Sequence, residues 1–334
     1  MSDAELPDAL RDELRAAWHR YVDLVAPLRP GLHAVCRRLT GNVFEAEDLV
    51  QETLLRAFAS LGSIHHQIEN PRGYLLRTAT HLWIDAQRRR GAEARALAQA
   101  DEPVPEGPPG AARDAGERLL QRLAPQERAA VVLKDAFDMS LEEIAEVLRT
   151  TVGAVKAALH RGRGRLAEPE GGAASQRPRP SVALVDRFVA LYRAADVKGL
   201  VALMLDGGSV ENVGCGLEFG RENFPSKEGW FHRAVFGHPE WPADLQYTNG
   251  RIERGELDGE PVLLGFATRR GREALEQVLR IEEVDGRIAR LRGYAFCPET
   301  MREVGERLGL RVRTGLYRYP TAAPGVTFPE PRAE

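Results

Sequence analysis

Between Arg149 and Arg165 the chain carries five Lys/Arg side chains and no Asp or Glu. Arg149, Lys156, Arg161, Arg163 and Arg165, with His160 among them, can neutralise a run of phosphates, which is the chemistry of nucleic-acid binding. In a second set, Arg72, Tyr74, Arg77, His81, Trp83, Arg88 and Arg89, cations alternate with flat rings. That mixture suits single-stranded DNA, whose phosphates need charge and whose unstacked bases need a surface to lie on. The competing account makes Tyr74 and Trp83 core aromatics and lets Arg88, Arg89 and Arg90 complement a helix C-terminus. A third set, Glu45, Glu47, Asp48, Gln51 and Glu52, is acidic. It is either a docking face for a basic partner or a response to the positive end of a helix dipole, and the sequence supports both equally. The last set, Glu211, His232, His238 and Asp244 with Trp230, Phe231 and Phe266 as apolar walls, contains acid–base groups. No pair of them has a spacing that demands catalysis.

The elements that must position these groups are legible. Ser140 followed by Glu143 is a capping box, and Leu141, Ile144, Ala145 and Leu148 form an apolar stripe at helical spacing. Arg149-Thr150-Thr151 makes a turn without glycine, so Arg149 takes any left-handed position at a cost of roughly 1 kcal/mol. Thr151 can cap a second helix from Val152 with Val155, Ala158 and Leu159 inward. A short acidic helix, a turn and a basic helix make a helix-turn-helix; the alternative is a core helical hairpin with a solvated basic face. Upstream, helices are expected over 8–26 and 32–39. Another follows over FEAEDLVQETLLRAFASL, and one more from the Asn70 cap and Pro71 to about Arg90.

The whole chain bounds these readings. It has 334 residues and a net charge of −3, so two or three domains are expected and any nucleic-acid contact must come from local patches. Cys36, Cys215 and Cys297 are isolated, with no CxxC or Cys/His cluster, which points to reduced thiols and to no zinc site. The acidic start and the lack of a long apolar run lead to an expectation of no signal peptide, no membrane span and a cytoplasmic protein. Residues 91–116 and 169–180 are rich in Ala, Gly, Pro and charge, and read as linkers.

The order EAEDLVQETLLRAF, PRGYLLRTATHLWIDAQRRR, linker, PQERAAVVL, SLEEIAEVL, GAVKAALHRGRGRL resembles the sigma-70 family, and within it the small two-domain extracytoplasmic-function (ECF) sigma factors. The resemblance covers roughly residues 10–168. It implies region 2 over 1–90, an acidic linker over 91–116 and region 4 over 117–168. It implies that Asp48, Gln51 and Glu52 dock on the β′ clamp helices of bacterial RNA polymerase and that region 4 meets the β flap. His65, His66, Arg72, Tyr74, Arg77, His81, Trp83, Arg88 and Arg89 would melt and read the promoter −10 element. Thr151, Lys156, His160, Arg161, Arg163 and Arg165 would read the −35 element. Two positions depart from the family. His81 stands where Asn is common, and Val155-Lys156-Ala157-Ala158-Leu159 replaces VKSRL, removing a phosphate or base contact.

Residues 181–320 exceed a minimal sigma factor. An amphipathic helix opens them, and strands are expected over 210–219, 245–254, 261–268, 275–284 and 288–294. A helix over 222–236, a hairpin turn at Asp285-Gly286 and a helix over 298–308 complete the pattern. A helix followed by a curved antiparallel sheet resembles the SnoaL-like cone fold. Such domains fused behind ECF sigma factors are thought to modulate them. The expected architecture is therefore multidomain: two all-α helical domains, an α+β SnoaL-like domain over 181–320, and a Pro-rich tail over 321–334. The expected function is promoter-directed transcription initiation, without enzyme activity or cofactor, by a chain that is a monomer when free. A small molecule in the C-terminal domain is an open partner, with Glu211, Trp230, His232 and Phe266 as its pocket. The alternatives are a SnoaL-like isomerase, cyclase or ligand sensor with a DNA-binding N-terminal half, and a DNA-binding regulator that acts without polymerase.

Overall fold

Short connections and explicit caps build the N-terminal helices. In the computed structural model, which describes residues 8–61, 70–97, 120, 122–166, 179–225, 250–269 and 271–314, α1 (Asp8–Val25) passes through one 3-10 turn into α2 (Arg29–Thr40). Pro27 and Pro30 occupy first-turn positions, where a missing amide costs nothing, so the chain turns there without a break. Gly41 closes α2 in the left-handed conformation, and Asn42 Oδ1 accepts the Phe44 and Glu45 amides at 2.9 and 3.1 Å to start α3 (Val43–Leu61). Asn70 Oδ1 accepts the Gly73 amide at 2.9 Å and starts α4 (Pro71–Leu97). α4 runs past Arg90 into the expected linker, because Ala92, Glu93, Ala94, Arg95, Ala96 and Leu97 are good helix formers.

α5 (Pro125–Val131) continues through a π turn (Val132–Ala136), and α6 (Leu141–Leu148) and α7 (Val152–Leu166) follow. All these helices share one core. Cys36 and Leu39 of α2, Val50 of α3, Ala79 and Trp83 of α4, Ala129 of α5, Ile144 of α6 and Val155 of α7 are buried in it together. The two helical regions thus form one compact unit, Met1–Ser175. Glu47, expected on the acidic outer face of α3, is fully buried and ion-paired with the buried Arg29. The inward face of α3 is wide enough to hold Ala46, Glu47, Val50 and Leu54, and the buried guanidinium supplies the carboxylate's partner.

The second unit, Gln176–Glu334, has its own core. Ser181 caps α8 (Val182–Arg193), and Asp196 caps α9 (Val197–Leu203). Six strands follow: β1 (Met204–Asn212), β2 (Gly216–Phe219), β3 (Arg251–Leu257), β4 (Glu260–Arg269), β5 (Arg272–Val284) and β6 (Arg287–Gly293). Their order in the sheet is β2-β1-β6-β5-β4-β3. The sheet is mixed and not antiparallel throughout, because β1 pairs with β6 in parallel. The stretch expected as a single strand over 210–219 is a hairpin of β1 and β2 around Gly214. Asp285 and Gly286 both have positive φ, the requirement of a two-residue type I′ hairpin. α10 (Pro298–Leu308) packs on β5. The expected helix over 222–236 and the start of the strand over 245–254 lie largely outside the described residues. Among the described residues no helix is long and apolar enough to cross a membrane.

Removing one member of a buried ion pair strands the other charge. Glu47→Ala is expected to destabilise the helical unit by about 3–5 kcal/mol. Urea denaturation followed by circular dichroism at 222 nm tests this; an unchanged midpoint would contradict a structural role for the pair.

Candidate nucleic-acid and polymerase interface

The α6–α7 pair is held by its caps. Ser140 Oγ accepts the Glu143 amide at 3.1 Å, and Glu143 Oε2 accepts the Ser140 amide at 2.8 Å. The bonds from the Ser140 backbone and hydroxyl hold the Glu143 carboxyl below its usual range. Arg149 takes the left-handed conformation, φ 50° and ψ 52°, so the glycine-free turn carries the expected strain. Thr150 N donates to Ala145 O at 2.9 Å and closes the turn. Thr151 Oγ1 accepts the Ala154 amide at 3.2 Å and caps α7. Val155, Ala158, Leu159 and Gly162 form the inward seam. At Gly162 a Cβ would lie 2.9 Å from Val131 Cγ2, so glycine is what lets α7 cross α5 this closely.

The cations of α7 divide into two groups. Arg161 Nε donates to Glu127 Oε1 at 2.9 Å, and Arg165 donates to Glu127 Oε2 at 2.7 Å. Arg163 forks onto Asp135, with Nε to Oδ2 at 3.2 Å. These three arginines, expected on DNA, clamp α7 to the α5 segment, although each side chain stays about half exposed. Lys156 and His160 are exposed and carry no ion pair among the described residues. Composition alone did not reveal the clamp, but Glu127 had a signal: it is the third residue of the helix that starts at Pro125, PQERAAVVL, just before the apolar run from Ala129 to Leu133.

On α4 the expected single-strand face is turned onto the helices downstream. Trp83 is 3% exposed and lies under the Arg128 guanidinium, 5.4 Å from ring centroid to Cζ. It is a core aromatic in this state, not an open stacking surface. Arg77 pairs with Glu146 of α6 at 3.3 Å. His81 is half-buried near the Val147 carbonyl; burial first, then Arg149, pulls its pKa below the usual histidine value. Tyr74 donates its hydroxyl to Ser60 at 2.8 Å. Arg72, Arg88 and Arg89 are exposed, and His65 and His66 lie outside the described residues.

On α3, Glu52 is exposed and bonded to Arg56 at 2.7 Å, Asp48 is half-buried, and Gln51 donates to the buried Glu47 at 2.7 Å. The three residues therefore share a face that Glu47 and Arg29 fix from beneath. In the second unit two of the four residues of the expected pocket, Glu211 and Phe266, are described. Glu211 accepts from Arg290 and Arg292 at 2.6 and 2.9 Å, and Phe266 lies under Arg251, 4.0 Å from the ring centroid. Strand alternation puts both on the face opposite Val210 and Leu263, which belong to the core under α8 and α9. They cannot line a pocket on the helix-covered face. Trp230 and His232 lie outside the described residues, as do His238 and Asp244. Among the described residues no group of His, Cys, Asp or Glu could hold a metal ion.

Two substitutions separate the buried clamp from the exposed one. Glu127→Gln, at a residue 4% exposed, is expected to cost roughly 1–3 kcal/mol. Asp135→Asn, whose pair is open to solvent, is expected to cost below about 1 kcal/mol. Thermal unfolding of both variants checks the order, and equal losses would contradict it.

Comparison with known proteins places these elements. Residues 24–93 match the family Sigma-70 region 2, and residues 114–166 match the family Sigma-70, region 4. The ECF RNA polymerase sigma factor SigE of Mycolicibacterium smegmatis is 36% identical over 168 residues, covering 48% of this chain and 64% of the relative. ECF RNA polymerase sigma factor SigW of Bacillus subtilis is 31% identical over 164 residues, covering 44% of this chain and 86% of the relative. The crystal structure of the ECF sigma factor SigJ of Mycobacterium tuberculosis aligns with 83% of this chain and 97% of its own, at 22% identity and a TM-score of 0.31. The match thus spans a little under two thirds of SigE and most of SigW, and falls on α2–α4 and α5–α7. The chain belongs to the extracytoplasmic-function sigma factors of the sigma-70 family.

Proposed function

We propose that this chain binds bacterial core RNA polymerase in the cytoplasm and directs it to promoters, and that its second unit tunes this activity. The observation that carries the proposal is the coincidence of three features in family order: the α3 face of Asp48, Gln51 and Glu52, the α4 helix, and the α6–α7 helix-turn-helix. Asp48, Gln51 and Glu52 dock on the polymerase clamp. Arg72, Arg88 and Arg89, already exposed on α4, make the first phosphate contacts. Lys156 and His160 reach into the −35 major groove, with Thr151 at the helix start.

The compact helical unit is the resting form. Elements named −10 and −35 are centred about 25 base pairs apart, or ~85 Å along B-DNA at about 3.4 Å per pair. Arg77 on α4 and Glu146 on α6 are in contact. Both modules cannot sit on their elements while that contact persists, so binding to polymerase must separate α4 from α5 and α6, exposing Trp83 and freeing His81 and Arg77.

Two expected outcomes follow. Asp48→Arg with Glu52→Arg should lower affinity for core polymerase by about tenfold or more. DNA binding by α7 stays unchanged, which separates a sigma factor from a regulator that acts without polymerase. Pull-down with purified core reads the result, and unaltered binding would sink the polymerase role of this face. In a Cys215→Ser background, whose remaining thiols are buried, a cleavable bismaleimide joins Arg77→Cys to Glu146→Cys. The cross-linked chain should fail in run-off transcription and recover once the linker is cut. Equal activity of linked and cut forms would refute the opening step.

A further inference from the structure

His81 stands on α4 where that helix meets the end of α6. One turn earlier on α4, Arg77 pairs with Glu146 of α6 at 3.3 Å. Beyond Glu146, the Val147 carbonyl lies beside His81, and α6 ends at Arg149, held in the left-handed conformation. One turn after His81 on α4, Asp85 lies 3.6 Å from Arg88. The imidazole is half-buried in the seam between the two helices.

Two guanidiniums, Arg77 and Arg149, thus flank an imidazole whose nearest carboxylates are already engaged. Glu146 and Asp85 are exposed, and each faces an arginine, Arg77 and Arg88 respectively. From α5, Arg128 is turned onto the Trp83 ring, and among the described residues α2 and α3 place no charge on His81. A proton taken up here puts a third cation beside Arg77 and Arg149 in a half-buried seam. The Val147 carbonyl and Asp85 favour that cation, but burial first and Arg149 next outweigh them, and the pKa lies below the ordinary histidine value. Parting α4 from α6 returns the ring to water and to the ordinary value of about 6.5. The open form therefore takes the proton more readily than the closed one. The contribution of neutral His81 to the closed form is complete well above about pH 6.5 and shrinks as the pH falls through it.

We propose that His81 is a proton-sensitive latch between α4 and α6, so that acidification loosens the closed helical unit and raises its affinity for core polymerase. The proposal rests on the reading of the closed unit as the resting form, for which it names a signal that shifts the balance.

The test is the affinity of the full chain for purified core polymerase, without DNA, at pH 8 and pH 6, always as a ratio to His81→Gln. Glutamine keeps a hydrogen-bonding amide and takes up no proton, so the ratio cancels the pH dependence of the polymerase itself. Between pH 8 and pH 6 the ratio of wild-type to His81→Gln affinity is expected to rise by up to about fourfold. Against Arg149→Asn, which tolerates the left-handed turn, the wild-type profile is expected to be the steeper. A purely structural role of His81 would change the affinity but not its pH profile. Thermal melting shows that each variant folds; should His81→Gln not fold, the Arg149→Asn ratio still decides. The chain cross-linked between Arg77→Cys and Glu146→Cys separates the two ways of failing. If the ratios are flat while the cross-linked chain fails to bind core, opening stands and the latch falls. If the cross-linked chain binds core as well as the cut one, the closed resting form falls and the latch with it.

Discussion

The contact of Trp83 with Arg128 makes one body of the two helical regions. Trp83 belongs to the α4 helix and Arg128 to α5, and they come from opposite sides of the linker. Burying an indole under a guanidinium removes a large ring from water and adds a cation–π attraction of roughly 0.5–2 kcal/mol. Arg38 of α2 makes a parallel contact with Phe137, 5.3 Å from the ring centroid, at the end of the π turn. Both contacts use an arginine as a lid over an aromatic, so the interface is neither a dry hydrophobic core nor a fully solvated seam. Parting this interface exposes the Trp83 indole and apolar side chains of the shared core, so opening needs a partner that covers them.

Buried carboxylates organise the rest of the helical unit. Glu47 fixes α2 to α3 through Arg29, and Glu127 fixes α7 to α5 through Arg161 and Arg165. In each case an acidic side chain on an apolar face would be prohibitive alone and becomes tolerable through its guanidinium. The consequence is directional. Pulling the carboxylates inward leaves Gln51 and Glu52 on one surface, and Lys156 and His160 on another.

How far the sequence told this in advance depends on the range of the interaction. Ser140, Glu143, Arg149 and Thr151 act within a few residues of themselves, and all four behave as local chemistry requires. The positions of Asp285 and Gly286 follow for the same reason. Glu47 on the outer face of α3, the end of α4 at Arg90, and an antiparallel sheet were expectations that other facts overturned: a distant arginine, a run of helix formers that carries α4 through Gly91, and a parallel β1–β6 pairing. In the second unit the side that a residue takes is a matter of parity. Glu211 and Asn212 are adjacent, yet one belongs to an arginine network and the other to the helix-covered face. A strand reverses sides at every residue, so a pocket assigned by residue type alone has no means of choosing between neighbours.

The net charge of −3 acquires a physical meaning once the pairs are known. Arg161, Arg163 and Arg165 already face carboxylates, so moving any of them to a phosphate exchanges one ion pair for another, and only the difference counts. Lys156 and His160 are what α7 offers without such an exchange. Few released counterions mean weak, weakly salt-dependent affinity for DNA by the helix-turn-helix alone. Promoter affinity in such a chain has to be assembled from several modest contacts held at fixed spacing, and a large scaffold is what fixes spacing. The same arithmetic favours the closed unit in the absence of that scaffold, because Arg77 gives up Glu146 before it gains another partner.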